Sequence, residues 1–425
     1  MEVFDEATLN KRRRRAAAAF GENSPLIVVG AGEAISIPGG LDQTFPYRPH
    51  PDYYWLTGLL RSGGVMAFDA DSGWTHFVRP VSAAERLWEA DVPSPQGVDI
   101  AQLDAWLAER AGRPIAALGS PIANVTADAD ATRETQQRFD SARRVKDAAE
   151  LDLLARAVSA TEAGFLAARQ AIAPGRTERE IQIELEAEMF RHGAETTGYA
   201  TIVGAGARAA VLHSQPGATV VQPDDVVLVD AGGAIQGYTA DVTRTFAAGE
   251  RFTPEQQALY DVVLAAQVAA IHRCRHEMEW HEVHRTAAAE LADGLRRLGI
   301  LKTSIDEALD SESIALFLPH GIGHMVGLGV RDVGGTAPGR EPGRKCCGAV
   351  VRVDLPIQRG YLMTVEPGIY FPPAILDDPQ RRAQFGRAVD WDELARWRPI
   401  GGIRIEDNVL VTDAAPKVIT DEIPK

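Results

Sequence analysis

Five acidic or imidazole side chains sit in or against apolar, strand-like runs of the C-terminal half: Asp230 in VLVDAGG, Asp241 in ADVTRTF, His324 in HGIGH, Glu366 in TVEPGIY and Glu406 in GIRIED. A glutamate is almost never buried unless it is paired or bound to a metal. Any fold that buries Met363-Thr364-Val365 and Ile403-Arg404-Ile405 must therefore find partners for Glu366 and Glu406. Four carboxylates and one imidazole are what a pair of hard or borderline divalent cations needs, because carboxylate oxygens bridge two ions and offset their charge.

Each residue also has a plainer reading. Asp230 closes the run Val226-Val227-Leu228-Val229 and could simply begin a turn at Ala231-Gly232-Gly233. Asp241 follows eleven positions later, ahead of Val242-Thr243-Arg244-Thr245-Phe246, so a hairpin would set the two carboxylates side by side. Unshared, such a pair repels and one member takes up a proton; a cation removes that penalty. His320 and His324 are separated by glycines, which favours a loop or irregular strand over a helix, and either could be a structural hydrogen-bonding group.

The chain has 425 residues, long for one hydrophobic core, so two domains are expected. From residue 25 to 125, short apolar runs alternate with helix-like stretches such as Ile100 to Ala111, an α/β pattern. A polar stretch from Thr126 to Lys146 then precedes a helical periodicity opening at Ala148, placing the boundary at 142/143. The second half begins with helices over about Asp147 to Gln170 and Thr177 to His192, then strands around Thr201, Val226 and Val242. Two further helices, Pro254 to His272 and Glu282 to Leu298, precede the strands carrying His324, Glu366 and Glu406, an α+β layer with an antiparallel sheet.

A net charge of -15 argues against nucleic acid or an anionic membrane as a partner, and no run is long and apolar enough to span a bilayer. The basic run Lys11 to Arg15 leads into Ala16-Ala17-Ala18-Ala19-Phe20 and reads as the solvated face of a helix. Cys274, Cys346 and Cys347 do not form a disulfide framework, and the charged N-terminus lacks a signal-peptide pattern, so a cytoplasmic protein is expected. Cys346-Cys347 has no neighbouring cysteine or histidine in sequence to complete a soft-metal site. Gly204-Ala205-Gly206-Ala207-Arg208-Ala209 loosely fits a dinucleotide fingerprint, but it leads toward a strand-like Val211-Leu212 and not a helix.

The segments VLVDAGG, GYTADVTRTF, PHGIGHMVGLGVRDVGG, TVEPGIYF and GIRIEDNVLVT resemble the motifs of the proline-specific metallopeptidases with the pita-bread fold, the group containing aminopeptidase P and prolidase. FPYRPHPDYYWLTGLLRSGGVMAFD is similar to the accessory domain of that group, so the resemblance covers nearly the whole chain. It implies an accessory domain over 1–142 and a catalytic domain over 143–425. It also implies two divalent ions, manganese first, with cobalt, zinc or iron as other occupants, and a homodimer. By motif, Asp230 would chelate one ion, His324 and Glu366 the other, and Asp241 and Glu406 would bridge them. The chemistry implied is hydrolysis of small Xaa-Pro peptides by activated water, with Glu366 also handling the proton. His213 corresponds to a histidine in the proline-side pocket, His320 to one near the substrate carbonyl, and Tyr370 and Arg404 to residues that hold ligands or substrate.

Two arginines bear on specificity. Where that family usually has a histidine seven positions after the metal histidine, this chain has Arg331. A guanidinium stays protonated and cannot shuttle a proton, but it can bind an oxyanion or a carboxylate, or simply pair with Asp332 or another acid. Arg352 stands fourteen positions before Glu366, where prolidases carry the arginine that neutralises the carboxylate of a C-terminal proline. The expected activity is thus an Xaa-Pro dipeptidase. Its alternative is an Xaa-Pro aminopeptidase acting on longer peptides. A non-catalytic relative acting as a binding module, or a metal-free hydrolase such as creatinase, would be expected to lack the ligand set.

Overall fold

The computed structural model describes residues 3–88 and 94–425, in two compact units, residues up to Arg143 and from Arg144 onward. In the first unit, the central strand Leu26–Gly30 lies antiparallel to Val65–Asp69 and parallel to Ile115–Gly119. Gly73–Val78 and Val98–Asp99 extend the sheet beyond Val65–Asp69. Val28, Val65, Ala67, Phe77 and Leu103 form the core of one face.

The basic run lies on the helix Glu6–Phe20, capped by Asp5, but it is not uniformly solvated as expected. Arg12 is 1% exposed, its guanidinium stacked 4.0 Å over Phe4 and donating to the Trp55 carbonyl. The weakly hydrated guanidinium tolerates such packing against aromatic rings. Of the five, only the outward positions Lys11 and Arg14 are exposed.

The second unit is an α+β layer, as its periodicity predicts. Its helices are Ala148–Ala171, Glu178–Arg191, Pro254–Arg273 and Trp280–Arg297. The first three start at capping boxes formed by Asp147 with Glu150, Thr177 with Glu180 and Thr253 with Gln256, each satisfying orphan amides of the first turn. Between the two helix pairs runs Val226–Ala231, flanked by Ile202–Ala205 and Val242–Ala247, both antiparallel to it. Val227, Val229 and Ala231 pack with Phe165, Leu185 and Met189 of the first helix pair. Val226 and Leu228 pack with Leu259, Val263 and Leu291 of the second. Both faces of the strand are covered, which explains its unbroken apolar run; the period of two sends Asp230 to the same face as Val226 and Leu228.

Asp230 and Asp241 are not joined by a simple hairpin. The connection folds into its own small hairpin, Gly233–Ile235 with Tyr238–Thr239, turning at Gln236 and Gly237 with φ 52° and 80°. Those angles are the pair a type I′ turn requires. The chain then re-enters beside its first strand, with Thr243 opposite Asp230.

Candidate metal centre

Two interrupted strand pairs build the far wall of the site. Leu362–Val365 pairs with Asp407–Leu410, and Gly368–Tyr370 pairs with Gly402–Arg404. The ladder breaks at the same point on both sides of the pairing, at Glu366-Pro367 and Ile405-Glu406. Pro367 has no amide to donate, so the break follows from sequence, and both glutamates lie within it. An isolated bridge links Thr243 to Glu406, tying this wall to the Asp230 strand.

The histidine segment is irregular, as its glycines suggest. It runs along the Glu366 strand: the amides of Thr364 and Glu366 donate to the carbonyls of His324 and Ile322, each at 2.8 Å. A Cβ on Gly323 would lie 2.1 Å from the Thr364 carbonyl oxygen, so only glycine permits this approach.

All five sequence-predicted ligand residues come together and are buried. Ligand atoms of Asp241, His324 and Glu406 lie within 4.8 Å of one another. His324 Nε2 is 3.4 Å from Asp241 Oδ2 and 3.8 Å from Glu366 Oε1. His324 Nδ1 is 3.0 Å from the Met325 carbonyl oxygen, which fixes the proton on Nδ1 and leaves the Nε2 lone pair facing the carboxylates. Glu366 Oε1 is buried and has no hydrogen-bond partner. An orphaned carboxylate oxygen and an inward imidazole lone pair are the donor set a divalent cation satisfies, so these residues fit such an ion.

The electrostatics agree. Asp241 and Glu406 have pKa values pushed well above the carboxylate range by burial and by neighbouring acids, and burial pushes Glu366 up to about 7. Burial also lowers His324 to about 4, so the ring is neutral. Without cations the cluster must hold protons; with them it can ionise.

A surrounding shell orients these acids. Arg404 donates to Asp230 Oδ2 at 2.5 Å, to Thr243 Oγ1 at 2.9 Å and to the Tyr370 hydroxyl at 2.8 Å. Tyr370 in turn lies 2.9 Å from His320 Nε2, while His320 Nδ1 is 3.0 Å from the Gly321 carbonyl, so both ring nitrogens are engaged. Burial holds His320 neutral, with a pKa lowered to about 3. Two members had no sequence signal. The Tyr199 hydroxyl lies 2.6 Å from both Asp230 Oδ1 and Asp241 Oδ1, and Thr243 Oγ1 donates to Glu406 Oε2 at 2.6 Å. Their roles arise only from the tertiary arrangement.

The remaining predicted site residues are less tightly tied in. Arg352 is a third exposed, with Nη1 3.6 Å from Glu366 Oε1. Arg331 is exposed, and the carboxylate of the neighbouring Asp332 takes Lys146 Nζ at 2.7 Å. His213 is exposed on a turn after the short helix Gly206–Ala210, with no hydrogen bond to the five ligand residues. Val211-Leu212 is therefore not a strand; the chain bends there.

Residues 152–413 match metallopeptidase family M24. The chain belongs to that family. Residues 9–107 match the aminopeptidase P N-terminal domain. A Botryotinia fuckeliana protein named probable Xaa-Pro aminopeptidase is 30% identical over 393 residues, spanning 87% of this chain and 84% of its own. An Aspergillus clavatus protein of the same name is 31% identical over 397 residues, with coverages of 87% and 85%. Among solved structures, Pseudomonas aeruginosa aminopeptidase PepP matches with a TM-score of 0.79 at 28% identity, covering 100% of this chain and 97% of that one. The zinc-substituted Escherichia coli aminopeptidase P, with a TM-score of 0.78, coverages of 99% and 97% and 24% identity, shares the fold. The M24 unit is thus a pita-bread domain, preceded by an aminopeptidase P-type N-terminal domain, and the chain is a metallopeptidase.

Proposed function

We propose that this metallopeptidase is an Xaa-Pro aminopeptidase, releasing the first residue of peptides whose second residue is proline. The observation that carries a hydrolytic centre is the buried cluster of four carboxylates around the His324 lone pair, with Glu366 Oε1 accepting no hydrogen bond. The names of the relatives support the aminopeptidase activity, which was the alternative reading of the sequence.

Asp230, Asp241, His324, Glu366 and Glu406 would hold two divalent cations, manganese fitting an oxygen-rich donor set. When bound, such ions polarise the scissile carbonyl and lower the pKa of water toward neutrality. Glu366 accepts a proton from the attacking water and delivers it to the departing proline nitrogen. His320, kept neutral and held by Tyr370, lines the site wall without adding charge. Arg404 orients Asp230 and Tyr370. Arg331 and Arg352 supply positive charge near Glu366 for the substrate's downstream end. His213 stays outside the proposed machinery because it is exposed and unattached to the cluster. We further propose a cytoplasmic homodimer. Its support is the resemblance and three free cysteines, and no helix among the described residues is long and apolar enough to cross a membrane.

A second reading, Xaa-Pro dipeptidase, is favoured by one observation: Arg352 stands beside Glu366, where it would meet a proline carboxylate. Rates on Xaa-Pro and Xaa-Pro-Yaa peptides with Mn2+ distinguish the two. Preference for the tripeptide is expected; exclusive hydrolysis of the dipeptide would overturn the aminopeptidase reading. Arg352→Ala should raise KM for dipeptides and tripeptides alike if the arginine only balances charge, and for dipeptides selectively if it binds the carboxylate.

A further inference from the structure

Cys346 ends the first strand and Cys347 opens the turn of a small hairpin, Lys345–Cys346 paired with Ala349–Val350. The turn residues Cys347 and Gly348 have φ of 51° and 86°, so a cysteine is held in a left-handed conformation that such side chains rarely adopt. The result is two sulfurs 3.8 Å apart without a disulfide. Two thiolates each about 2.3 Å from a tetrahedral ion are separated by about 3.8 Å.

The sequence offered no third ligand nearby; the fold brings one. His284, from the helix Trp280–Arg297, places a ring nitrogen within 4.8 Å of both sulfurs. The ring is 0% exposed and its Nε2 has no hydrogen-bond partner. Its Nδ1 accepts a long bond, 3.3 Å, from the Ile322 amide, so the neutral ring carries its proton on the orphaned Nε2. A buried donor whose nearest acceptor, the Cys346 backbone, is out of hydrogen-bond geometry is costly to keep, and a cation in its place relieves that cost at the expense of the long Ile322 bond.

We propose that Cys346, Cys347 and His284 form a second metal site, distinct from the oxygen-rich centre and selective for a thiophilic cation of the Zn2+ class. Two sulfurs and one imidazole make a soft donor set, and both cysteines are partly exposed, leaving room for water as fourth ligand. Ligation through Nε2 shifts the ring proton to Nδ1 and gives up the long Ile322 bond. A neighbouring cluster, Glu279, His281 and Asp354, lacks this character, because Arg340 and Arg344 already neutralise its acids at 2.6 to 3.0 Å. An ion here would staple the hairpin to the helix on either side of the HGIGH segment. Val350 O would sit 2.9 Å from a Cβ on Gly321, and the Ile322 nitrogen lies 3.3 Å from His284 Nδ1, so both ends of the staple lie against that segment.

The test uses the Mn2+-loaded holoenzyme under reducing conditions, titrated with Co2+ and read by thiolate-to-Co2+ charge-transfer absorption. The oxygen-rich centre has no thiolate and cannot give this band. A saturable band that Zn2+ abolishes is expected. Cys346→Ser with Cys347→Ser should remove it while peptidase activity persists, Cys274→Ala should keep it, and His284→Gln should weaken Co2+ binding more than about tenfold. A wild-type holoenzyme with no band at saturating Co2+ overturns the proposal, whatever the variants do. So does a band that survives in the double serine variant.

Discussion

Glu406 and Asp407 are adjacent in sequence and equally buried, at 2% and 0% exposed, yet they live in opposite electrostatic worlds. Asp407 is pushed up by burial, but Arg244 at 2.8 Å and Lys425 at 2.6 Å outweigh this and hold it below the carboxylate range. Gln267 and Thr420 complete its hydrogen bonds. Glu406 has one hydroxyl donor, Thr243, while its nearest cation, Arg404, stands 3.9 Å away and faces Asp230. Burial and neighbouring acids leave its pKa well above the ordinary value. An acid saturated by protein cations is structural; an acid with no cation in contact, crowded by other buried acids, is where a cation from outside is favoured.

The sharpest way to break this contrast is to neutralise one residue at a time. Glu406→Gln should cost metal and lower activity by more than the about 10–100-fold expected for a supporting partner, leaving the metal-free fold at least as stable as before. Asp407→Ala should do the reverse, leaving Arg244 buried and unpaired at a cost of about 3–5 kcal/mol in unfolding, with metal retained by the folded protein. Thermal unfolding and metal content measured on both variants distinguish the two sites. Tyr199→Phe removes only the hydroxyl shared by Asp230 and Asp241, and an about 10–100-fold loss of metal affinity is expected.

The smallest effect is on pH dependence. The raised pKa values of Asp241, Glu366 and Glu406 mean that, without metal, their stabilising contribution is complete below about pH 4 and lost as pH rises through their folded values, about 7 for Glu366. Asp407 has the opposite sign: its contribution is present above about pH 4 and is lost as pH falls through its lowered folded value. Chelated protein should therefore lose stability as pH rises through neutrality, and the metal-loaded protein should not. Calorimetry in buffers of different ionisation heat should also show proton release on metal uptake.

That the five candidate residues would be buried together was legible because carboxylates inside apolar runs have few physical explanations, and the periodicities placed the four helices within a residue or two of their ends. Less was legible where long-range packing decides. Tyr199 and Thr243 are ordinary residues until the fold sets them against Asp230, Asp241 and Glu406. His284 lies far from Cys346 in sequence, so the cluster was invisible. Arg12 read as solvated because charge was weighed without the aromatic rings that receive it. Arg352 pointed toward dipeptides through its resemblance to a prolidase arginine, whereas the relatives are named aminopeptidases.

The central claim is that the cation-starved cluster is the hydrolytic centre, and titrating metal-free protein with Mn2+ while following Xaa-Pro-Yaa cleavage tests it most directly. Activity absent after chelation, rising with bound metal and saturating at about two ions per chain is the expected result. Undiminished cleavage by the chelated protein, or metal uptake without any cleavage of Xaa-Pro-Yaa or Xaa-Pro peptides, would contradict it.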